Sequence, residues 1–465
     1  MFAVVITVMS LAAQGLSPDQ QLARDLLAEL VAINTTHEHG NTTPAAEAMA
    51  RRLLAAGFPA GDVMVLGPAT GNHNLVARLR GTGGGVRRPI LLLAHLDVVE
   101  ARPEDWSLDP FTLTEKDGFF YGRGTLDIKD MAALFVATLM RFKREGIVPD
   151  RDIILALTAG EESGGDYNGV QWLLQNHRDL IDAAYCINGD SGDPLKRAGR
   201  PFARGVQASE KVYMSLALTA HNPGGHSSLP PPPPTGRNAI YDLAAALTRV
   251  AGYTFPMRLN DITRTYFTQL TATLPEAVAA DVRGVLRTPP DAAAAARLAA
   301  ASPFFNAQLR TTCVATRVAA GHADNALPQT ARAIVNCRLL PDERPADVVA
   351  AIRRVVANDS ITVTVTDSAV PSPPSPLVPE VMGPLQRVTA AMWPGVPVVP
   401  NMETGATDGL FLRNAGMPVY GVSGVFLDAD DIRAHGRDER IGVRDYYEGA
   451  DFTYRFVKAL ATATR

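Results

Sequence analysis

The chain is poor in cysteine, with three among its 465 residues: Cys186, Cys313 and Cys337. So few thiols cannot form a disulfide framework in a chain of this length, and none has the C-x-x-C spacing of a zinc or redox motif. We expect three buried thiols. The alternative is a bond between Cys313 and Cys337, which requires an oxidising compartment.

Long apolar runs and runs of like charge are also missing. No stretch of 18 apolar residues occurs, which argues against a membrane-spanning helix. The 44 basic and 48 acidic residues give a net charge of -4 without a block of like charges, which argues against sequence-independent binding of nucleic acid. The composition, 46% hydrophobic and 20% charged, is that of a folded globular protein of roughly two or three domains.

A short apolar run from Phe2 to Ala13 opens the chain and is followed by Gln14. The small residues Ser10 and Ala12 have the spacing that signal peptidase recognises, although no Lys or Arg precedes the run. We therefore expect a signal segment over residues 1–13 and a periplasmic or secreted protein. The alternative is a buried first helix in a cytoplasmic protein.

The hydrophobic pattern predicts an α/β fold. Apolar residues recur at helical spacing between Pro18 and Gly57, whereas continuous apolar runs such as Pro89 to His95 and Asp152 to Thr158 indicate strands buried on both faces. Because strands and helices alternate, we expect a mixed, mostly parallel sheet covered by helices. The glycine-rich segment Gly81 to Gly85 lies between two predicted strands, which favours a hairpin turn.

The pattern changes after residue 209, where about four strands and at least two helices predict a separate α+β unit. A proline-rich segment, Pro371 to Pro379, then indicates a linker back to the first domain. We therefore predict one α/β domain, called the catalytic domain below, interrupted by an inserted α+β domain, called the lid below. The predicted segments are a signal at 1–13, the catalytic domain at 14–209 and 371–465, and the lid at 210–370.

Histidine and acidic residues follow the ends of several predicted strands. Open α/β sheets bind ligands at this edge, the carboxyl ends of their strands. Two histidines with three or four carboxylates at one edge are the ligand set of a two-metal hydrolase. The clusters are His95-Leu96-Asp97, Gly122-Arg123-Gly124 to Asp127, Glu161-Glu162, Asn188-Gly189-Asp190 and, far downstream, His435.

These motifs, in this order, closely resemble the zinc-dependent exopeptidase and aminoacylase family that includes glutamate carboxypeptidase, carnosine dipeptidase and succinyl-diaminopimelate desuccinylase. The resemblance covers nearly the whole chain and implies a co-catalytic pair of zinc ions, replaceable by cobalt or manganese. It implies that His95 and Asp190 hold one ion and that Glu162 and His435 hold the other. Asp127 would bridge the two.

Physical reasons support the other roles that the resemblance implies. Asp97 is placed to accept the ring N–H of His95, which would fix the tautomer of this ligand. Glu161 and Glu162 are adjacent and cannot both point the same way in extended chain, so one ligates and the other is free. We expect Glu161 to act as the general base.

The predicted lid carries further family positions. His226, Asn325 and Arg338 match residues that polarise the scissile carbonyl and hold the substrate carboxylate, a task for which an arginine fork is well suited. Ser423 and Gly424 are expected to add backbone donors near the same carboxylate. The resemblance implies that the inserted domain is a lid of the dimerisation type. We therefore expect either a homodimer through the inserted domain or a monomer that supplies all of its own site residues.

The predicted function is hydrolysis of an amide bond next to a free carboxylate, in a small peptide or an N-acyl amino acid. The resemblance favours a carboxypeptidase or dipeptidase, because residue 190 is Asp, which goes with peptidase members of the family, whereas Glu goes with several deacylases. The alternatives are an N-acyl-amino-acid hydrolase on the same site and a non-catalytic peptide-binding protein. A serine hydrolase is disfavoured because the sequence has no G-x-S-x-G motif.

Overall fold

The described residues of the computed structural model are 15–68, 71–83, 86–162, 167–230, 232, 237–367 and 369–462. The predicted signal segment at 1–13 lies outside them. Within these ranges, no helix combines the length and the apolar character that crossing a membrane requires. The elements divide between one large sheet with its helices and one small sheet with its own.

A mixed sheet forms the centre of the catalytic part, and it comprises ten strands among the described residues. The central four pair in parallel, which confirms the predicted mixed, mostly parallel sheet. In spatial order the strands are Val63–Leu66, Asn74–Leu79, Ile153–Thr158, Ile90–His95, Tyr185–Asn188, Val419–Gly421, Arg200–Glu210, Pro194–Arg197 and Leu427–Asp428, with Val398–Glu403 paired to Arg200–Glu210.

Helices cover both faces of this sheet because its strands are apolar on both sides. Leu92 belongs to the core on one face, whereas Leu91 and Leu93 belong to the core on the other. The helices on the first face are Pro18–Ala32, Thr43–Ala55, Lys129–Arg144, Pro379–Met392 and Val443–Ala461, and those on the second are Gly169–Asn176, Arg178–Ile181 and Gly409–Asn414.

A second, antiparallel sheet forms the predicted lid, in the order Thr312–Ala320, Thr330–Leu339, Val212–His221 and Ile361–Asp367. The helices Ala239–Gly252 and Pro345–Val356 pack on it and bury a separate hydrophobic core, which is the predicted α+β architecture. A two-stranded ladder pairs Gly225–His226 with Ala326–Leu327. Each of its strands follows a strand of the lid sheet along the chain.

Among the described residues, four helices inside the predicted lid pack against the large sheet and not against the lid sheet. Its core includes Ala203 and Val399, which lie on two strands of the large sheet. The lid sequence between residues 261 and 309 therefore shares its core with the catalytic part. The helices are Asp261–Leu270, Glu276–Val285, Ala292–Ala301 and Pro303–Leu309.

A small antiparallel sheet joins two distant parts of the catalytic chain. Phe119–Tyr121 lies in its middle, flanked by Thr114–Lys116 and by Arg440–Gly442. The pairing brings the chain near residue 440 against the chain near residue 121. This sheet was not predicted from the sequence.

Two sequence-based predictions about the fold are wrong. Cys313 and Cys337 face each other on paired strands and form a disulfide, so the alternative to three buried thiols is correct, and Cys186 is a buried free thiol. The strands on either side of the segment Gly81 to Gly85 do not form the predicted hairpin. Ile153–Thr158 lies between them, so these two strands do not pair with each other.

Candidate metal centre

His95, Asp127 and Asp190 converge at the carboxyl ends of two neighbouring parallel strands. His95 is the last residue of its strand and is buried, and Asp190 follows the adjacent strand by two residues. The Nε2 atom of His95 lies 3.1 Å from Oδ1 of Asp127 and 3.8 Å from Oδ1 of Asp190. These atoms are close enough to share one metal ion.

A second group shares Asp127 with the first. The Nε2 atom of His435 lies 3.0 Å from Oδ2 of Asp127 and 2.7 Å from Oε1 of Glu162. The two carboxylate oxygens of Asp127 therefore face two different histidines. This is the arrangement that a carboxylate bridging two metal ions requires.

The loop before Asp127 is held tightly against the rest of the domain. Gly124 has a φ of +84°, and a Cβ there would approach Lys129 Cδ to 2.8 Å, so both its conformation and its space suit glycine. The buried ammonium group of Lys129 donates to the carbonyl oxygens of Leu30 and Ile33 at 2.9 and 2.8 Å, at the end of the first helix.

The donor chemistry of the two groups fits zinc. Each offers one imidazole nitrogen and two carboxylates, with the candidate atoms within 4.8 Å of one another. Imidazole and carboxylate are common ligands of zinc in catalytic sites, where a further position stays open for water or substrate. The predicted ligands are thus brought together as two sets that share Asp127.

The electrostatics of the site are those of crowded acidic groups. Burial raises the pKa of Asp190 to about 8, with the charge of Asp127 adding to the effect. Hydrogen bonds to Asp127 and Glu162 raise the pKa of His435 to about 10. Burial opposes a charge on His95, but its hydrogen bonds to Asp127 and Asp190 raise its pKa well above the ordinary value.

Glu161 lies beside these ligands. One of its carboxylate oxygens falls within the same 4.8 Å spacing of His95 and Glu162. Burial, followed by the neighbouring charge of Asp190, raises the pKa of Glu161 well above its ordinary value. A carboxylate with a raised pKa beside a metal centre is suited to accept and return a proton.

Asp97 occupies its predicted place but makes a different contact. The Nδ1 atom of His95 lies 2.9 Å from the main-chain carbonyl oxygen of Asp97 and 3.9 Å from its carboxylate. The side chain of Asp97 instead accepts the main-chain N–H groups of Glu161 at 3.3 Å and Glu162 at 2.9 Å. In this structure the ring nitrogen of His95 is thus closer to the main-chain oxygen of Asp97 than to its carboxylate, and the role of this carboxylate in orienting His95 stays a prediction.

A buried acid that had no predicted role lies next to the site. Asp408 accepts hydrogen bonds from Thr158, at 3.1 Å, and from Asn168. Burial raises the pKa of Asp408 to about 6, and its charge contributes to the raised pKa of Glu161. The only sequence signal was an acidic residue just before a short helix, in Thr407-Asp408-Gly409.

His226 lies on the two-stranded ladder of the lid, and Asn325 directly precedes the other strand of this ladder. The N–H of Ser227 donates to the main-chain oxygen of Asn325, and Nδ1 of His226 lies 2.7 Å from Oγ of Ser228. Both His226 and Asn325 are exposed. The contacts described for these residues stay within the lid, so their role at the metal centre stays a prediction, as does the homodimer.

Arg338 lies on the lid sheet and is half-buried. Its guanidinium stands 4.7 Å above the ring of Tyr213, its cross-strand neighbour. Burial lowers the pKa of Arg338 from its ordinary value, while the charges of Tyr213 and Glu403 oppose this shift. Glu403 belongs to the large sheet. The substrate-binding role of Arg338 stays a prediction.

The segment with Ser423 and Gly424 is buried and its hydrogen bonds point inward. The N–H of Gly424 donates to Sδ of Met131, which contradicts its prediction as a free backbone donor to substrate. The carbonyl oxygen of Ser423 accepts from Arg204 at 2.9 Å. Arg204 itself is buried above the ring of Phe452. Packing inside the domain, which the sequence does not display, decides where these groups point.

Comparison with known proteins identifies the family. The model of peptidase family M20/M25/M40 matches residues 91–459. The chain belongs to this family. The matched range includes every predicted metal ligand, and the match confirms the resemblance drawn from the motifs.

Relatives within the M20 family differ in the names they carry. N-fatty-acyl-amino acid synthase/hydrolase PM20D1 of Bos taurus is 30% identical over 399 residues, which cover 83% of this chain and 77% of the relative. Probable carboxypeptidase S-like 2 of Dictyostelium discoideum is 26% identical over 83% of this chain and 74% of the relative.

Solved structures share the M20 fold. The metallo-carboxypeptidase Sso-CP2 of Sulfolobus solfataricus superimposes with a TM-score of 0.68, covering 94% of this chain and 99% of its own, at 18% identity. This similarity confirms the fold over 94% of the chain.

Proposed function

We propose that the chain is a two-zinc amide hydrolase whose substrates carry a free carboxylate next to the scissile bond. The observation that carries this proposal is the position of Asp127, whose two carboxylate oxygens face His95 and His435 separately. Glu161 lies beside these ligands without being needed in either shared set. Membership of a metallopeptidase family supports the same reaction.

Bound zinc would supply Lewis-acid polarisation of the scissile carbonyl and would make water more acidic at neutral pH. The residues of the chain supply proton transfer and positioning. Glu161 accepts the proton of the attacking water and passes it to the nitrogen of the leaving amine. Arg338 pairs with the carboxylate of the substrate, which sets the distance between that group and the bond that is cleaved.

We infer that an N-acyl amino acid is the preferred substrate. The relative from Bos taurus, which covers most of the chain, is named for N-fatty-acyl amino acids, and it is more similar than the carboxypeptidase-like relative from Dictyostelium discoideum. This preference for N-acyl amino acids over peptides is the opposite of the one that Asp190 suggests in the sequence. A carboxypeptidase or dipeptidase is the second candidate, supported by that aspartate and by the carboxypeptidase-like relative.

We also propose that the protein works in an oxidising compartment as a periplasmic or secreted enzyme. The disulfide between Cys313 and Cys337 supports this proposal, since such bonds persist mainly outside the reducing cytoplasm. The apolar segment at 2–13 supports it from the sequence. Cell fractionation and N-terminal sequencing of the mature protein test it, and an intact N-terminus on cytoplasmic protein would contradict it.

The deciding experiment combines metal analysis with a matched substrate panel. N-oleoyl-phenylalanine, N-acetyl-phenylalanine and glycyl-phenylalanine share one leaving amino acid and differ only in the acyl group. We expect two zinc ions per chain, hydrolysis of the fatty-acyl substrate above the dipeptide, loss of activity on chelation and recovery with zinc. Full activity in metal-free protein would overturn the two-metal proposal. Binding of all three without hydrolysis would instead indicate a non-catalytic binding protein.

A further inference from the structure

The loops that carry Asp127 and His435 extend from two paired strands. Phe119–Tyr121 leads directly into the first loop, and the second loop leads directly into Arg440–Gly442. The two strands pair antiparallel, with Arg440 opposite Tyr121. The loops therefore leave the same end of the small sheet side by side.

Glu439 lies where these loops meet and is completely buried. Its Oε1 atom accepts the main-chain N–H of Leu126 at 2.7 Å and that of Asp127 at 3.1 Å. Its main-chain oxygen accepts the N–H of Gly122 at 3.1 Å. One residue from the His435 loop thus fixes the main chain that carries the shared carboxylate Asp127.

Arg123 makes the reciprocal contact from the other loop. Its Nη1 atom lies 2.5 Å from Oε2 of Glu439, and both side chains are shielded from solvent. Its Nη2 atom donates to the carbonyl oxygen of Gly436, the residue after His435, at 3.1 Å. The same atom lies 3.3 Å from the carbonyl oxygen of Glu100.

We propose that Arg123 and Glu439 are positioning residues that set the separation of the two ligand-bearing loops and thereby the affinity of the second metal site. Neither side chain is in the candidate ligand sets. Two of the three ligands of the second set, Asp127 and His435, lie on these loops, whereas the first set has Asp127 alone. The inference rests on the proposed two-zinc function and predicts unequal effects at its two sites.

Removal of one partner is a poor test, because it leaves a buried charge without a counter-charge and destabilises the fold. Paired neutral replacements avoid this problem. R123M/E439Q retains a side-chain carbonyl oxygen that can accept the N–H groups of Leu126 and Asp127. R123M/E439M has a similar size and no such acceptor, so the two variants differ in the contact that the inference invokes.

A matched control is the ion pair between Arg413 and Glu210. Its side chains are as buried as those of the proposed pair, its atoms lie 2.7 Å apart, and Glu210 is the last residue of a strand of the large sheet. The contacts described for this pair include no main-chain group of a predicted metal ligand. R413M/E210M therefore reports the effect of losing a buried ion pair as such.

The test measures stepwise zinc affinity by competition with a chelator, together with the unfolding temperature of the metal-free proteins. We expect R123M/E439M to lose about 10-fold to 100-fold in affinity for the second zinc, as replacement of groups that orient ligands usually does. The first zinc should lose less, R123M/E439Q should lie closer to wild type, and R413M/E210M should retain both affinities. Amide exchange at Leu126 and Asp127 should accelerate in R123M/E439M.

The outcomes separate this inference from the proposed function. A wild-type protein that binds no zinc overturns both. A wild-type protein that binds two, with R123M/E439M losing neither or losing both equally, overturns the positioning role alone. If R123M/E439M does not fold, E439D decides the question, because it keeps the charge and shortens the side chain by one methylene. Retention of full second-site affinity by folded E439D then overturns the inference.

Discussion

The main-chain N–H of Glu162 donates to the carboxylate of Asp97 over 2.9 Å. The N–H of Glu161 reaches the same carboxylate over 3.3 Å, while the main-chain oxygen of Asp97 contacts the ring of His95. Asp97 therefore determines where a candidate base and two candidate ligands lie relative to one another. Its side chain orients the glutamates, and its backbone orients the histidine.

Replacement of Asp97 by Asn should loosen the turn that carries the two glutamates. Asn has one acceptor oxygen where Asp has two, so the N–H groups of Glu161 and Glu162 cannot both be satisfied in the same way. We expect zinc affinity and kcat each to fall by about 10-fold to 100-fold, the usual cost of losing a group that orients ligands. Metal titration and steady-state kinetics measure this, and an unaltered unfolding temperature confirms that the fold is intact. Wild-type values for both quantities would show that the contact has no positioning role.

Glu161 and Glu162 should respond differently to the same change. Glu161→Gln removes the proposed base, and proton transfer by a positioned base is typically worth about 100-fold to 10,000-fold, so kcat should fall in that range with both metals retained. Glu162→Gln removes a candidate ligand that lies 2.7 Å from His435, and it should lose zinc. Metal content and kcat measured on both variants provide the comparison. The opposite pattern would reverse the two assignments.

Arg338 should make the enzyme depend on the free carboxylate of its substrate. An amidated substrate leaves the half-buried guanidinium without its partner, a penalty of roughly 2 to 5 kcal/mol. Because about 1.4 kcal/mol corresponds to tenfold, kcat/KM for the amide should be at least about tenfold lower than for the acid. Arg338→Ala should erase this difference, whereas Arg338→Lys keeps the charge and should preserve part of it. Equal turnover of acid and amide by the wild type would rule out the carboxylate anchor.

Lys211 should give the stability of the protein a distinct pH dependence. It is buried, it donates to the carbonyl oxygen of Arg310 at 2.7 Å, and burial lowers its pKa from 10.5 to about 7. Between these values the unfolded chain binds the proton and the folded chain does not, so this group increases stability as pH rises from about 7 to 10.5.

The variant K211M isolates this contribution, because other groups titrate in both proteins. Between pH 7 and 9.5, the unfolding free energy of the wild type should increase relative to that of K211M by about 1 to 3 kcal/mol. Urea unfolding of the metal-free proteins at the two pH values measures the difference. Parallel pH profiles would mean that Lys211 keeps its proton in the folded state.

The disulfide should be detectable by thiol titration. Protein denatured without reductant should expose one thiol, that of Cys186, and reduction should expose two more. Loss of the bond in C313A/C337A should destabilise the lid by about 3 kcal/mol, since the bonded residues are 24 apart in sequence. Three thiols before reduction would contradict the bond.

Much of the fold and of the metal centre is predictable from local sequence. The run before His95 is apolar on both faces, which marks a central strand, and the ligands follow strand ends where side chains of a parallel sheet must converge. Short strands such as Val419–Gly421 were missed because three residues carry too little periodicity to show a pattern. Their positions depend on the neighbours they pair with.

The contacts that position the ligands could not be predicted in the same way. Glu439 and Leu126 are 313 residues apart, and neither sequence context indicates the other. Asp97 shows a different limit, because its proximity to His95 follows from spacing, whereas the choice between its backbone and its side chain depends on the turn at Glu161. Residue type and spacing predict which residues lie close together. Whether a backbone or a side-chain atom makes the hydrogen bond depends on the local geometry.

The placement of Val419–Gly421 has a consequence for synthesis of the chain. This strand lies between Tyr185–Asn188 and Arg200–Glu210, which are both made far earlier. On the ribosome, the two earlier strands must wait with open edges until the entire inserted region has emerged. His435 follows this strand in the chain, so a nascent chain cannot assemble the complete metal centre until the inserted region, Val419–Gly421 and His435 have all emerged.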